Sequence, residues 1–246
     1  MFLGIDLGTS ALKAVLVDER EQIVGSASAP LTVDHPRPGW SEQYPRDWWA
    51  ALLDAVDSLK RDHARALSAV CGIGLSGQMH GAVLLDSADA VLRPCILWND
   101  TRSERECRLL EEAEPALRDI TGNVAMPGFT APKLLWVRRN EPKTFADTHR
   151  VLLPKAWLRL CLTGDATEDM SDASGTLWLD VGARAWSSRM LAATGLKDDA
   201  MPSLVEGNAA AGRLRADLAA RWGMAIAPMR RYNSARNWRS SAFGPP

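Results

Sequence analysis

The residues with the clearest chemical potential stand at positions 4–10, in the stretch Gly-Ile-Asp-Leu-Gly-Thr-Ser. This stretch lies between two apolar, β-branched runs that predict strands. Gly8 permits a tight turn whose backbone N–H groups can approach an anion. The side chains beside it that could contact phosphate or a bound cation are Thr9, Ser10, Lys13 and Asp6. Because Mg²⁺ is typically held by one or two carboxylates together with phosphate oxygens, Asp6 indicates a site for Mg²⁺ and phosphate. An ordinary hairpin with an acidic turn is the alternative.

A second cluster, Ser-Gly-Gln-Met-His-Gly at positions 76–81, directly follows a predicted strand over 70–75. Ligands in α/β sheets bind beyond the carboxyl ends of strands. Gln78 and His80 offer donors and acceptors for hydroxyl groups, and Met79 offers an adaptable apolar wall. The cluster is therefore typical of a site for a small polar substrate. The alternative is a tight turn in which His80 is merely hydrogen-bonded.

A third cluster combines an aromatic ring, an amide, a carboxylate and a guanidinium at a predicted strand-to-helix junction, in Trp98, Asn99, Asp100 and Arg102. Planar polar groups beside a tryptophan face suit a hydroxyl-rich sugar, so this cluster and the previous one support each other. The alternative is that Asp100 only caps a helix and that Arg102 is only a surface charge.

The predicted elements define the fold class. Apolar patterning predicts strands over 2–6, 12–18, 22–29, 70–75, 82–85 and 96–98. It predicts helices from Pro45 to about Asp62, over 102–112, from Pro132 to near Pro142, over 154–164 and over 187–194. Three antiparallel strands, a helix, another strand and further helices is the order of an α/β protein with the ribonuclease-H-like (actin-like ATPase) fold, a mixed sheet with flanking helices.

Composition narrows the class of partner. The 246 residues carry a net charge of −1, which gives no reason to expect nucleic acid or an anionic membrane as the main partner. The four cysteines lack C-x-x-C spacing, and no leader or long apolar segment is evident, so we expect a cytoplasmic protein. The glycine pattern at 72–77 lies inside a predicted strand, which argues against a dinucleotide site.

Several stretches together resemble the FGGY family of carbohydrate kinases over residues 1–227. Besides positions 4–10 and 77–81, they are residues 40–43, 96–100, 121–123, 127–136 and 169–176. The Gln-Met-His-Gly and Met-Ser-Asp-Ala forms are most similar to family members that act on D-xylulose. The resemblance implies ATP-dependent phosphorylation of the D-xylulose 5-hydroxyl with Mg²⁺. It also implies two ribonuclease-H-like domains that close on sugar and nucleotide, with the sugar mainly on the first. A small-molecule sugar and a second copy, as a homodimer, are the compatible partners.

The resemblance also implies roles for individual residues. Met79 and His80 match the sugar-binding pair, and Asp6 matches the acidic residue needed near metal and phosphates. The first phosphate segment is matched by Gly8, Thr9, Ser10 and Lys13. The stretch that lines the sugar pocket is matched by Trp98, Asn99, Asp100 and Arg102, with Gln78 assigned to the substrate as well.

The sequence departs from the family pattern after residues 223–225. There the family runs into a glycine-rich turn whose Asp accepts the proton of the attacking hydroxyl, followed by a second domain. Here residues 228–246 contain four arginines and no acid, so residues 1–227 carry −5. We expect residues 228–246 to form a basic tail without regular structure. A frameshift, an early stop or a cloning remnant would explain it, and a basic nucleic-acid arm is the alternative.

We therefore expect the second domain to be absent and no residue here to be the family's catalytic base. A related kinase acting on ribulose, gluconate or glycerol, or a non-catalytic sugar-binding module, is the alternative function. We also expect the 246-residue chain to have no kinase activity as it stands, although weak sugar binding can survive.

Overall fold

A computed structural model describes residues 1–225 and 228–230 of the chain. Its main sheet has six strands in the order β13-β14-β5-β1-β2-β3. These strands are β1 (Phe2–Leu7), β2 (Ala11–Val17), β3 (Ile23–Pro30), β5 (Gly72–Gly77), β13 (Ala210–Arg213) and β14 (Pro228–Arg230). β1, β2 and β3 are antiparallel neighbours, and β5 lies parallel to β1. The mixed sheet with three antiparallel N-terminal strands confirms the predicted fold class.

The first three strands follow from an alternating pattern. In β2 the side chains of Leu12, Ala14 and Leu16 are buried, whereas Lys13 between them is exposed. A period of two places alternate side chains on opposite faces, so one face of the sheet packs on the core and the other faces out. This strong local signal explains why the predicted bounds agree with the structure to within about two residues.

In the part of the chain that the structure describes, short strands form four two-stranded ladders away from the main sheet. They are β4 (Glu42–Gln43) with β7 (Cys95–Ile96), β6 (Val83–Leu85) with β8 (Arg150–Leu152), β9 (Thr167–Asp169) with β12 (Ser203–Val205), and β10 (Leu179–Asp180) with β11 (Ala185–Trp186). Only β6 and β7 were predicted from the sequence. Strands of two or three residues carry too little periodicity to be recognised.

The helices are α1 (Pro45–Ser68), α2 (Glu104–Ala113), α3 (Leu117–Thr121), α4 (Thr130–Asn140), α5 (Pro142–Asp147), α6 (Pro154–Thr163), α7 (Met170–Ser174), α8 (Ser188–Thr194) and α9 (Ala216–Trp222). The five predicted helices are confirmed as α1, α2, α4, α6 and α8. α1 continues six residues beyond its predicted end, across non-helical dihedral angles at His63. The short helices α3, α5, α7 and α9 were not predicted.

Two apolar clusters form the core. One packs the main sheet against α1, α6 and α9 and includes Leu12, Trp48 and Trp222. The other joins α2, α4 and α8 around Trp178 and Met190. The candidate site described below lies where these two clusters meet.

One sequence expectation is wrong at the start of the predicted tail. Pro228–Arg230 are not irregular but form β14, which pairs in parallel with β5 and antiparallel with β13. Backbone N–H and C=O groups at the free edge of β5 offer this pairing without any requirement for apolar side chains. The remainder of that prediction, residues 231–246, lies outside the described residues. Within the described part of the chain, no helix has both the length and the apolar character needed to cross a membrane.

Candidate functional site

The turn between β1 and β2 forms the first part of the site. The Gly8 N–H donates to the Ala11 carbonyl at 3.0 Å, and a Cβ on Gly8 would lie 2.9 Å from that oxygen. A glycine is therefore the residue that this turn accommodates. Asp6 pairs with Lys13 on β2 and with Ser76 on β5. Because directly paired residues share a sheet face, the structure brings the predicted carboxylate and lysine together, both exposed to solvent.

A chain of side-chain hydrogen bonds connects this turn to the loop after β5. Trp98 Nε1 donates to the Thr9 hydroxyl at 3.1 Å, and that hydroxyl donates to Gln78 Oε1 at 3.3 Å. Gln78 Nε2 donates to Gln43 Oε1 at 2.9 Å, and Gln43 Nε2 donates to the Thr9 carbonyl at 2.7 Å. The side chains of Gln78 and Thr9 therefore hold two turns together.

Asp100 and Arg102 form a buried ion pair. Their side chains are 0% and 1% exposed, with Arg102 Nη2 and Asp100 Oδ2 2.7 Å apart. Asp100 also accepts from the Ser41 N–H, and Arg102 also contacts Glu42. The guanidinium of Arg102 lies 3.6 Å from the ring centroid of Trp40. This network fixes the loop 98–102 against residues 40–42, and Arg102 is not the surface charge of the alternative interpretation.

The second part of the site is a cavity of about 400 Å³. Its volume lies in the range of small-molecule sites, about 300–1,000 Å³. It is lined by Leu75, Ser76, Gly77, Met79, His80, Asn123, Phe129, Lys155, Ser171, Asp172, Ser174 and Gly175. Of the residues predicted to bind sugar, the structure brings Met79 and His80 to this cavity. Gln78, Trp98, Asn99, Asp100 and Arg102 are not among its lining residues.

His80 stands at the junction of the cavity walls. Its φ of 65° places it in the left-handed region, and its ring contacts that of Phe129 edge-on, with centroids 4.7 Å apart. Its Nδ1 is buried, with no hydrogen-bond partner among the described residues. Burial, and next the positive charge of Lys133, lower the pKa of His80 below its usual range. A backbone hydrogen bond with Gly175 acts in the opposite direction, toward a higher pKa. A neutral imidazole at the cavity wall can bind a hydroxyl group.

The opposite wall carries a cation among carboxylates. Lys155 Nζ contacts Asp169 and lies 2.5 Å from Asp172 Oδ2 and 3.9 Å from Glu168 Oε1. Burial disfavours the charge, but the three carboxylates outweigh burial, so the pKa of Lys155 is raised. Oxygens of Glu168, Asp169 and Asp172 lie within 4.8 Å of one another, close enough to hold a metal ion. The ammonium of Lys155 already provides a cation there.

Sequence reasoning assigned no role to the wall residues Asn123, Lys155, Asp172 and Gly175. A signal existed, because Lys155 and Arg159 place two basic residues one turn apart on an otherwise apolar helix, α6. Such charges in a buried helix need acidic partners. The partners stand in β9 and α7, which the sequence did not predict.

The fold and the site together define a class of protein. A mixed sheet with three antiparallel strands, a glycine turn after β1 and a polar cavity at the carboxyl end of the adjacent parallel strand belong to the actin-like ATPase class. The sequence matches the FGGY family of carbohydrate kinases, N-terminal domain, over residues 1–229. The chain belongs to this family.

Individual relatives agree with this assignment. The chain is 54% identical to the xylulose kinase of Klebsiella pneumoniae, over 91% of this chain and 46% of the relative. It superposes with a TM-score of 0.91 on a "xyloylose kinase" from Brucella ovis, at 58% identity, covering 93% of this chain and 47% of the other. A gluconate kinase from Lactobacillus acidophilus shares the fold at 22% identity, with a TM-score of 0.85, covering 93% and 46%. The chain thus spans about half the length of these relatives.

Proposed function

We propose that this chain is the sugar-binding domain of a kinase that transfers phosphate from ATP to the 5-hydroxyl of D-xylulose. The names of the relatives at 54% and 58% identity support this substrate. The gluconate kinase at 22% identity shares only the fold, so it supports the class of protein and not a particular sugar.

The observation that carries the proposal is the position of the cavity relative to the glycine turn. Ser76 lines the cavity, and Asp6 pairs with Ser76 on the neighbouring strand, only one strand spacing away, about 4.8 Å. A hydroxyl group bound in the cavity therefore lies close to phosphates held at the turn. Phosphoryl transfer requires this arrangement, because positioning and neutralisation of charge supply most of its catalysis.

In this proposal each part of the site has a separate task. Met79 and His80 bind the sugar, and His80 does so through an imidazole that is neutral near pH 7 because its pKa is lowered. Phosphate oxygens of ATP are bound by Gly8, Thr9, Ser10 and Lys13, with the Thr9 hydroxyl oriented by Gln78. Trp98 and Asn99 remain exposed beside the turn and are available to a bound ligand. Asp100, Arg102 and Gln78 contribute by fixing the loops rather than by contacting sugar.

The donor set at the turn also fits Mg²⁺. Asp6 is an exposed carboxylate with hydroxyl groups nearby, and a single carboxylate together with phosphate oxygens is a common way to bind this ion. When bound there, Mg²⁺ would neutralise charge on the transferred phosphate. Asp6 is the residue that would hold it, directly or through water.

We further propose a cytoplasmic location, as the sequence analysis expected. All four cysteines are free thiols, which is typical of proteins in reducing compartments, where ATP is also supplied.

Calorimetric titration of the 246-residue chain with D-xylulose, L-ribulose, glycerol and gluconate tests the proposal. We expect D-xylulose to bind most tightly. His80→Ala should weaken that binding, whereas His149→Ala, at an exposed histidine outside the cavity, should not. Tighter binding of another sugar would assign the domain to a different kinase of the family. Binding to none of them, by a chain shown to be folded, would overturn the proposal.

A further inference from the structure

Lys133 is a wholly buried lysine whose ammonium is bound by backbone carbonyls. Its residue exposure is 0%, and its Nζ donates to the carbonyl oxygens of His80 at 2.8 Å and Gly128 at 2.7 Å. Burying an ammonium is costly unless its donors are satisfied. A lysine at this position therefore makes contacts that an apolar residue of similar length could not make.

The two carbonyl groups belong to different loops. His80 lies in the loop 77–81, which begins at the last residue of β5, and Gly128 lies in the segment 126–129 that precedes α4. The two loops also meet through the edge-on contact between the rings of His80 and Phe129. Both rings line the cavity. Lys133, in the first turns of α4, thus connects two walls of the cavity through one charged group.

The conformation of His80 requires support of this kind. A φ of 65° is disfavoured for a residue with a Cβ, and such conformations persist only where surrounding structure imposes them. The His80 carbonyl accepts from Lys133 and from the Thr130 hydroxyl at 3.2 Å, and the Gly81 N–H donates to the Met79 carbonyl at 2.8 Å. Without the ammonium, two partly buried carbonyl groups would lose a donor.

We infer that Lys133 is a positioning residue for sugar binding: its ammonium clamps the loops 77–81 and 126–129 together and so holds the imidazole of His80 in the cavity. The inference rests on the proposed function, since it assumes that the cavity takes the sugar. It assigns Lys133 no contact with the sugar. Its effect is transmitted entirely through His80 and Phe129.

The charge on Lys133 gives the clamp a measurable signature. The pKa of Lys133 is lowered to about 7, mainly by burial. The nearby Cys95 and Asp100 act to raise this pKa, and Arg102 acts to lower it further. The charge on Lys133 in turn lowers the pKa of His80. Replacing the lysine by an uncharged residue should therefore raise the pKa of His80, a change that a merely space-filling role would not produce.

The test compares Lys133→Met with Lys143→Met, which removes an exposed lysine on α5 as a matched control. Titration calorimetry should show D-xylulose affinity reduced at least tenfold in Lys133→Met and unchanged in Lys143→Met. NMR titration of the His80 ring should show a raised pKa in the first variant only. A folded Lys133→Met chain with normal affinity and normal His80 titration would overturn the inference and leave the proposed function intact.

If Lys133→Met does not fold, NMR titration of the unsubstituted chain tests the inference instead. The Gly81 nitrogen shares a peptide group with the His80 carbonyl, so its ¹⁵N shift reports the hydrogen bond from Lys133. That shift should change with an inflection that coincides with the titration of the Lys133 Cε signal near pH 7. Absence of a shared inflection would overturn the clamp. An unsubstituted chain that binds no sugar would instead overturn the proposed function. The His80 titration would still test whether Lys133 connects the two loops.

Discussion

At the scale of single residues, His80 contributes through its backbone as well as its ring. The left-handed backbone turns the chain so that the side chains of Met79 and His80 both line the cavity. The ring is fixed by Phe129 on one side and by Gly175 on another, while its Nδ1 has no partner within the described part of the chain. A polar ring atom at the wall of the cavity can bind a hydroxyl group of a ligand.

His80→Ala should therefore weaken D-xylulose binding more than nucleotide binding. A site built around a hydroxyl group loses about 1–3 kcal/mol when one partner is removed, which is roughly a 5- to 150-fold loss of affinity. Titration calorimetry with D-xylulose and with ATP measures both. An unchanged xylulose affinity would show that His80 is only a hydrogen-bonded residue of a tight turn.

Lys133 should make stability depend on pH. With its folded-state pKa at about 7 and a usual value of 10.5, the unfolded chain binds more protons than the folded chain between these values. The free energy of unfolding contributed by Lys133 therefore rises with pH across that window. Relative to Lys133→Met, the unsubstituted chain should gain about 1.5 kcal/mol between pH 7 and 8.5.

Urea unfolding of both chains at several pH values measures this difference. The comparison stays below pH 8.5 because thiols of the unfolded chain begin to titrate above it, whereas burial raises the pKa of Cys95 in the folded chain to about 12. Burial raises the pKa of Glu168, so the contribution of Glu168 to the free energy of unfolding falls with pH. Both chains contain Glu168, so this contribution cancels when the profile of the variant is subtracted. Parallel pH profiles for the two chains would show that Lys133 keeps an ordinary pKa.

At the scale of elements, the short helix α7 and the turn that ends it shape the cavity. Asp169 caps α7 by accepting from the Asp172 N–H at 3.2 Å, and Lys155 on α6 neutralises both carboxylates. Gly175 then passes so close to the ring of His80 that an added Cβ would lie 2.5 Å from Nδ1. The turn after α7 thus determines how far the imidazole can extend into the cavity.

Gly175→Ala should displace the imidazole of His80 while leaving the backbone undisturbed. The φ of Gly175 is −80°, which alanine adopts freely, so only the overlap with His80 is introduced. We expect D-xylulose affinity to fall at least tenfold. Gly182→Ala is the matched control, because its Cβ would meet only Asp180 at 3.5 Å. Equal affinities in the two variants, measured calorimetrically, would show that this turn does not position His80.

A substitution at Asp6, near the end of β1, should affect turnover without affecting sugar binding in the cavity. Asp6 is outside the lining of the cavity, so Asp6→Asn should leave D-xylulose affinity within about tenfold, roughly 1.4 kcal/mol. In an enzyme that carries this domain together with the second half found in its relatives, the same substitution should abolish turnover. Asp54→Asn, at an exposed position on α1, is the control. A larger loss of sugar affinity would place Asp6 in the sugar site.

At the scale of the whole molecule, the site depends on two cores meeting. The cavity is bounded by Leu75 from the cluster around the main sheet and by Phe129, which packs on the cluster around α4. The hydrogen bond from Lys133 on α4 to the His80 carbonyl after β5 crosses the same junction. A sugar bound there contacts both clusters, so D-xylulose binding should also stabilise the chain against unfolding.

The absence of kinase activity in the 246-residue chain, expected from its sequence, stays a prediction. The reason is that the family's base-bearing turn is not recognised in it, and a positioned base typically contributes ~10²–10⁴-fold to the rate. Xylulose-dependent release of ADP by protein of confirmed mass is the measurement. Turnover near that of an intact sugar kinase would mean that a residue within 1–227, or a partner chain, takes the hydroxyl proton.

The sequence by itself determined the features that depend on neighbouring residues. The alternation of apolar residues specified β1, β2 and β3, Gly8 specified the turn, and residues 78–81 had to follow β5. These features need only the period of a strand or the freedom of a glycine. The positions of Met79 and His80 in the cavity follow from that local order.

Only the tertiary structure decided which polar residues face the cavity and which are committed elsewhere. The sequence grouped Asp100 and Arg102 with the sugar site, but contacts with Ser41 and Glu42, about 60 positions away, bury them as an ion pair. Lys133 reaches His80 across 53 positions, and Gln78 reaches Thr9 across 69. The partner of a buried charge is chosen by packing between distant segments, and no local spacing in the sequence records that choice.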